Sequence, residues 1–98
     1  MRILIIEDDP NDAILIEREI RRDHANLAVG HARNLPETRL ALEEDPWDAV
    51  VCDYSRGHGV AGIICIKEDG FEGTNGVAAV PLRPSEELRP TLVRASRL

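Results

Sequence analysis

Aromatic side chains are nearly missing from this 98-residue chain: Trp47, Tyr54 and Phe71 are all it has. A core must therefore be packed from aliphatic groups, which a hydrophobic content of 43% supplies. There is no run of 18 apolar residues, and the N-terminus lacks a basic, apolar, small-residue signal pattern, so neither a membrane span nor an export leader is expected. Basic charge is short as well. Twelve lysines and arginines stand against 18 acids, a net charge of −6, which argues against nucleic acid or an anionic membrane as partner. Cysteine is limited to Cys52 and Cys65, both inside apolar runs, the usual place for reduced thiols in a cytosolic protein. The expectation is one acidic, soluble, cytoplasmic domain over residues 1–98, long enough to fold alone with little stability to spare.

The acidity that is present is uneven. Residues 1–53 carry 13 acids against six bases, residues 54–98 five acids against six bases. The first half also has a regular rhythm. Arg2-Ile3-Leu4-Ile5-Ile6 is a continuous apolar run, which suits a strand buried on both faces of a parallel sheet. Asp9-Pro10 is a helix-start signal, and Ala13, Ile16 and Ile20 follow at helical spacing. Leu27 to Ala32 reads as a second strand. Asn34 followed by Glu37 is a capping box opening a second helix that carries Leu35, Thr38, Leu40, Ala41 and Leu42 and ends by Asp45-Pro46. Trp47 to Asp53 reads as a third strand, with Trp47 as a packing anchor. Strand starts near 2, 27 and 48 leave room for right-handed crossovers, so β-α-β-α-β with parallel strands is expected.

The second half breaks that rhythm. Ser55 to Gly62 is a glycine-rich loop, Ile63-Ile64-Cys65-Ile66 a compact apolar run, and Lys67 to Gly76 a polar stretch with further glycines. Val77 to Leu82 reads as another strand. Starts near 63 and 77 are too close for a strand plus a full crossover. Either a helix is missing and the two runs pair as a hairpin, or Ile63–Asp69 is a short helix and a strand is missing; β-branching favours the strand. A last helix is expected from Ser85 as N-cap, with Leu88, Leu92 and Ala95 inward and Pro90 tolerable only in or near the first turn.

In a parallel sheet all C-terminal strand ends share one edge. Glu7, Asp8 and Asp9 end the first strand and Asp53 ends the third, so neighbouring strands would gather these carboxylates in one crevice. Crowded acids repel unless a cation lies between them, and oxygen-only donors select a hard divalent ion. Asp9 has the plainer role of helix cap, and a lone aspartate after a strand is usually a loop or cap residue. The joint pattern is the specific signal. His24, His31 and His58 have no partners at metal-ligand spacing and read as surface or loop histidines. Cys52 reads as structural.

Ile3-Leu4-Ile5-Ile6-Glu7-Asp8-Asp9-Pro10, then a helix, then Trp47-Asp48-Ala49-Val50-Val51-Cys52-Asp53-Tyr54, resembles the receiver domain of bacterial two-component response regulators over residues 1–54. The resemblance implies an α/β, flavodoxin-like (CheY-like) parallel sheet with flanking helices, here shortened by roughly one βα unit. It implies Mg²⁺ held by Glu7, Asp8, Asp53 and the main-chain carbonyl of Ser55. It further implies Asp53 as the phosphoacceptor that takes a phosphoryl group from a histidine kinase or phosphotransfer protein and becomes an aspartyl phosphate. The chain would be an acceptor rather than an enzyme.

The second half, residues 55–98, is shortened and departs from that family. Where receivers have a Ser or Thr after the fourth strand, this chain has Lys67-Glu68-Asp69, and Thr74 is the nearest hydroxyl. Where they have a Lys-Pro pair, this chain has Arg83-Pro84; arginine keeps the charge but is larger and planar. Val80 replaces the aromatic switch residue. The alternative expectation is therefore a degenerate receiver that acts as a protein-interaction or dimerisation module, a homodimer included, without phosphorylation.

Overall fold

The computed structural model describes residues 1–22, 25–53, 71–72, 77–83 and 86–97, with Asp53, Phe71 and Glu72 described by backbone alone. His24, Tyr54, Ser55, His58, Cys65, Thr74 and Ser85 lie outside the described residues, as does the apolar run Ile63–Ile66. In chain order the elements are β1 (Arg2–Ile6), α1 (Pro10–Arg21), β2 (Ala28–Ala32), α2 (Leu35–Glu44), β3 (Ala49–Asp53), β4 (Phe71–Glu72), β5 (Val77–Pro81) and α3 (Arg89–Ala95). The chain is an α/β fold.

The helix starts follow their sequence signals. Asp9 caps α1 with its side chain, accepting from the Asn11 N–H at 2.8 Å, and Pro10 occupies a first-turn position that needs no donor. Asn34 Oδ1 accepts from the Glu37 N–H at 2.9 Å. Glu37 answers one residue earlier than a standard capping box, taking the Arg33 N–H at 3.2 Å. The last helix departs from expectation. It begins at Arg89, after Leu88, with no side-chain cap bond. Proline lacks the N–H that an interior turn requires, so Pro90 confines the helix start to its own first turn.

The sheet runs β2-β1-β3-β5-β4. β2, β1 and β3 are mutually parallel, as the spacing of the first half requires. The fully parallel sheet is not what the second half makes. β5 pairs antiparallel with β3, from Asp53↔Val77 to Ala49↔Pro81, and β4 antiparallel with β5. Val77–Pro81 thus has a hairpin-like partner, but in Phe71–Glu72. The short connection explains the antiparallel pairing of β4 with β5, since a parallel return needs a crossover of a dozen or more residues. The reversal of β5 against β3, with 23 residues between the two strands, is not a matter of connection length.

Successive side chains of β1 go to opposite faces, which is why a continuous apolar run was needed there. Ile3 and Ile5 join Ala13, Ile16 and Ile20 of α1 with Leu88, Leu92 and Ala95 around α3. Leu4 and Ile6 join Ala32, Trp47, Val50, Cys52 and Ala78 under α2, where Leu35 and Ala41 pack against them. Leu40 and Leu42 remain exposed on α2, as do Ile14 and Leu15 on α1. Among the described residues no helix is long and apolar enough to cross a membrane.

Trp47 is the anchor of the second face. Its Nε1–H donates to the Ala41 carbonyl at 2.8 Å, and the Arg2 guanidinium lies 5.0 Å from the ring centre. The indole fills the space where a side chain at position 30 would be: a Cβ on Gly30 would approach Trp47 Cη2 to 2.3 Å. Alanine ordinarily suits a strand interior better than glycine. Gly30→Ala is nonetheless expected to destabilise the fold by roughly 1–3 kcal/mol through overpacking. Urea denaturation measures this, and a variant as stable as the wild type would mean that the indole can move aside.

Candidate functional site

The parallel pairing of β1 and β3 gathers acids at one sheet edge. Ile6 is level with Cys52, so the next residues, Glu7 and Asp53, leave adjacent strands at the same height, about 4.8 Å apart in strand spacing. The chain reaches β2 on one side of β1 and β3 on the other, so this is the point where the strand order turns. Crevices beyond the carboxyl ends of strands at such a point are the usual ligand sites of open α/β sheets.

Glu7 extends the line of β1, its N–H donating to the Ala32 carbonyl at 2.9 Å. Its side chain is turned inward and only 4% of the residue is exposed. Oε1 accepts the Asp9 N–H at 3.1 Å, which fixes the turn into α1. Asp8 is exposed beside it. Asp9 has its carboxylate on the helix start, so the capping role expected for it is the one it has. The acidic corner is therefore one buried carboxylate, one exposed carboxylate and the backbone end of β3 at Asp53. Oxygen-only donors of this kind suit a hard divalent cation. Among the described side chains, which exclude that of Asp53, no three His, Cys, Asp or Glu residues form a metal-holding group.

Arg83 is not at this corner. β5 runs against β3, so its end lies beside Ala49 and not beside Asp53. The Leu82 N–H donates to the Asp48 carbonyl at 2.9 Å. Four residues of strand, about 13 Å at ~3.3 Å each, separate the two levels, and Arg83 is exposed at the far edge. The expectation that Arg83 meets a phosphoryl group rested on a parallel last strand; the reversed strand removes the basis for it. That far edge is held by other groups. The Arg2 N–H donates to Asp48 Oδ2 at 2.8 Å and the Arg2 guanidinium pairs with Asp45 at 3.1 Å.

One polar cluster was not legible in the sequence. His31 is a strand residue on β2, and its Nε2 lies 2.6 Å from Glu17 Oε1 on α1. Glu17 Oε2 accepts from Arg21 Nε at 3.0 Å, while Arg21 Nη1 donates to the carbonyls of Ala25 and Leu27. The cluster ties the end of α1 to the start of β2. No spacing rule links residues 17 and 31; the contact exists because the crossover packs α1 beside β2.

The His31 hydrogen bond holds the Glu17 carboxyl below its ordinary range; partial burial opposes this, and the bond and charge of Arg21 add to it. A depressed carboxyl adds stability above its ordinary value, and that stability is lost as pH falls through the folded value. Exposure and salt screening keep the effect on stability small. The titration itself is the sharper readout. In His31→Ala the Glu17 midpoint, followed by carboxyl carbon NMR, is expected to rise toward that of an ordinary glutamate. An unchanged midpoint would remove His31 as the cause.

Compared with known protein families, curated proteins and solved structures, the chain matches none.

Proposed function

We propose that this chain is a flavodoxin-like (CheY-like) receiver that accepts a phosphoryl group on Asp53 from a histidine kinase or phosphotransfer protein, in a Mg²⁺-dependent phosphorelay. The observation that carries the reading is the level pairing of Ile6 with Cys52 in parallel strands, which brings Glu7-Asp8 and Asp53 out together where the strand order turns. The order β2-β1-β3 also agrees with the first half of a flavodoxin-like sheet.

In this reading Glu7, Asp8, Asp53 and the Ser55 carbonyl hold the cation. Magnesium, when bound, neutralises charge between the carboxylate nucleophile and the incoming phosphoryl oxygens. Asp53 forms the O–P bond while the N–P bond of the phosphohistidine breaks and its electron pair stays on the imidazole nitrogen. Glu7, held by the Asp9 N–H, keeps a fixed negative group at the crevice floor. Thr74 is the hydroxyl proposed to meet the phosphoryl group, because β5, which begins three residues later, starts level with Asp53. Incubation with Mg²⁺ and a small phosphodonor is expected to add one phosphate to the intact protein, and chelation of the Mg²⁺ to prevent it. No mass gain in a folded sample would overturn the reading.

One observation favours a second reading, a degenerate receiver serving as an interaction module. The reversed β5 leaves Arg83 at the far edge, so Arg83 does not offset a phosphoryl charge at the acidic corner. Under that reading the folded protein takes up no phosphate at any phosphodonor concentration.

A further inference from the structure

Among the described strands β2 is an outer one. Its pairing with β1 decides which backbone groups are used. The Ala28 N–H donates to the Met1 carbonyl at 3.0 Å, and the Ala32 carbonyl accepts the Glu7 N–H at 2.9 Å. In a parallel ladder alternate residues bond to one neighbour, so Ala28, Gly30 and Ala32 serve β1 while Val29 and His31 direct their N–H and C=O groups outward.

The outward row is closed at both ends within the chain. The Leu27 carbonyl accepts Arg21 Nη1 at 2.8 Å, and the Arg33 N–H donates to Glu37 Oε1 at 3.2 Å. Among the described residues a window of two, Val29 and His31, remains between them. Such a window is complementary to itself. In an antiparallel pair related by a two-fold axis at Gly30, Val29 of one copy is opposite His31 of the other, and both pairs exchange two hydrogen bonds.

Gly30 then meets Gly30 of the second copy at a non-hydrogen-bonded pair, where opposed Cα atoms come within about 4.5 Å and side chains crowd most. Gly30 itself adds no side chain there, and the space above it is taken in each copy by that copy's own Trp47 indole. The named charges beside the edge are balanced: Arg21 and Arg33 are each paired with a glutamate, Glu17 and Glu37. The net charge of −6 on each chain opposes association at long range and is screened by salt. On the α1 face the half-buried Val29 gains cover from the imidazole of the second copy.

We propose that the open edge of β2 is a homodimer interface, formed by antiparallel β2–β2 pairing about a two-fold axis at Gly30. The interface is independent of whether Asp53 is phosphorylated. Only four backbone hydrogen bonds cross it, so association is weak and visible at high concentration.

Sedimentation of the wild-type chain from micromolar to about millimolar concentration is expected to show a reversible monomer–dimer equilibrium. Hydrogen exchange over the same range supplies the site. The Val29 and His31 amides should slow at least tenfold as dimer forms, while the Gly30 amide, bonded to β1, stays protected throughout. Val29→Pro removes an outward N–H that β1 does not use, which an edge strand tolerates, and should weaken the dimer at least tenfold. A chain that stays monomeric overturns the proposal, as does a dimer in which the Val29 and His31 amides exchange at unprotected rates. The exchange measurement uses the wild-type protein and does not depend on the folding of the variant.

Discussion

Trp47→Ala will destabilise the fold by about 3–5 kcal/mol, the range for removing a large aromatic from a core. Domains of this size are held by roughly 5–15 kcal/mol in total, so the variant should be partly unfolded at 37 °C. Three contributions are lost together. The indole fills the space above Gly30 and joins Leu4, Ile6 and Val50 under α2. Its N–H satisfies the Ala41 carbonyl near the end of α2, and its ring receives the Arg2 guanidinium. With so few aromatics, no neighbouring side chain of similar volume can take its place. Denaturant unfolding followed by far-ultraviolet circular dichroism measures the loss, and a change under 1.5 kcal/mol would show that the cavity collapses around smaller groups. Gly30→Ala tests the same contact from the other side. The double variant Gly30→Ala, Trp47→Ala should cost less than the sum of the two single changes, because the clash disappears with the indole.

Asp53→Ala will abolish phosphate uptake from a small phosphodonor while leaving the fold intact. The expected result is no mass increase where the wild type gains one phosphate, a complete loss, since no other carboxylate is proposed as nucleophile. Its effect on stability has a definite sign. Removing one of several neighbouring acids relieves repulsion, so without divalent ions the melting temperature should be unchanged or higher than that of the wild type. With Mg²⁺ present the order should reverse, because the wild type gains the stabilisation of a bound ion by mass action and the variant gains less. Thermal melts with and without Mg²⁺ separate these cases. A variant that still takes up one phosphate would move the acceptor elsewhere and remove Asp53 from the proposed chemistry.

Much of the first half was legible because its signals are local. Asp9-Pro10 and Asn34-Leu35-Pro36-Glu37 bring their caps within three residues of the helix they start, and the caps formed as the residue types require. The unbroken Ile3–Ile6 run marks a strand buried on two faces without reference to any partner. Inward positions on α1 followed the helical period, while α2 buried less than its leucines suggested. Leu40 faces away from the sheet, and Leu42, although nearer the buried stripe, is 43% exposed. Periodicity marks a stripe but not how wide a surface the sheet offers to it.

What the sequence by itself determined is the β-α-β-α-β half and the placing of Glu7, Asp8 and Asp53 after strands of one polarity. Local propensity, capping and crossover length suffice for that, whereas the position of β1 between β2 and β3 came from the strand pairing itself. What only the tertiary structure decided is the direction of β5, and with it the position of Arg83, and, separately, the strand order that leaves β2 outermost among the described strands. Val77–Pro81 has the same apolar pattern whichever way it runs, because side-chain alternation is unchanged when a strand is reversed. Direction depends on which neighbour's backbone groups it meets, and those bonds join residues such as Val50 and Val80 that are far apart in sequence. The His31–Glu17–Arg21 cluster has the same origin. It required a helix and a strand to be brought side by side, and no pattern along the chain records that distance.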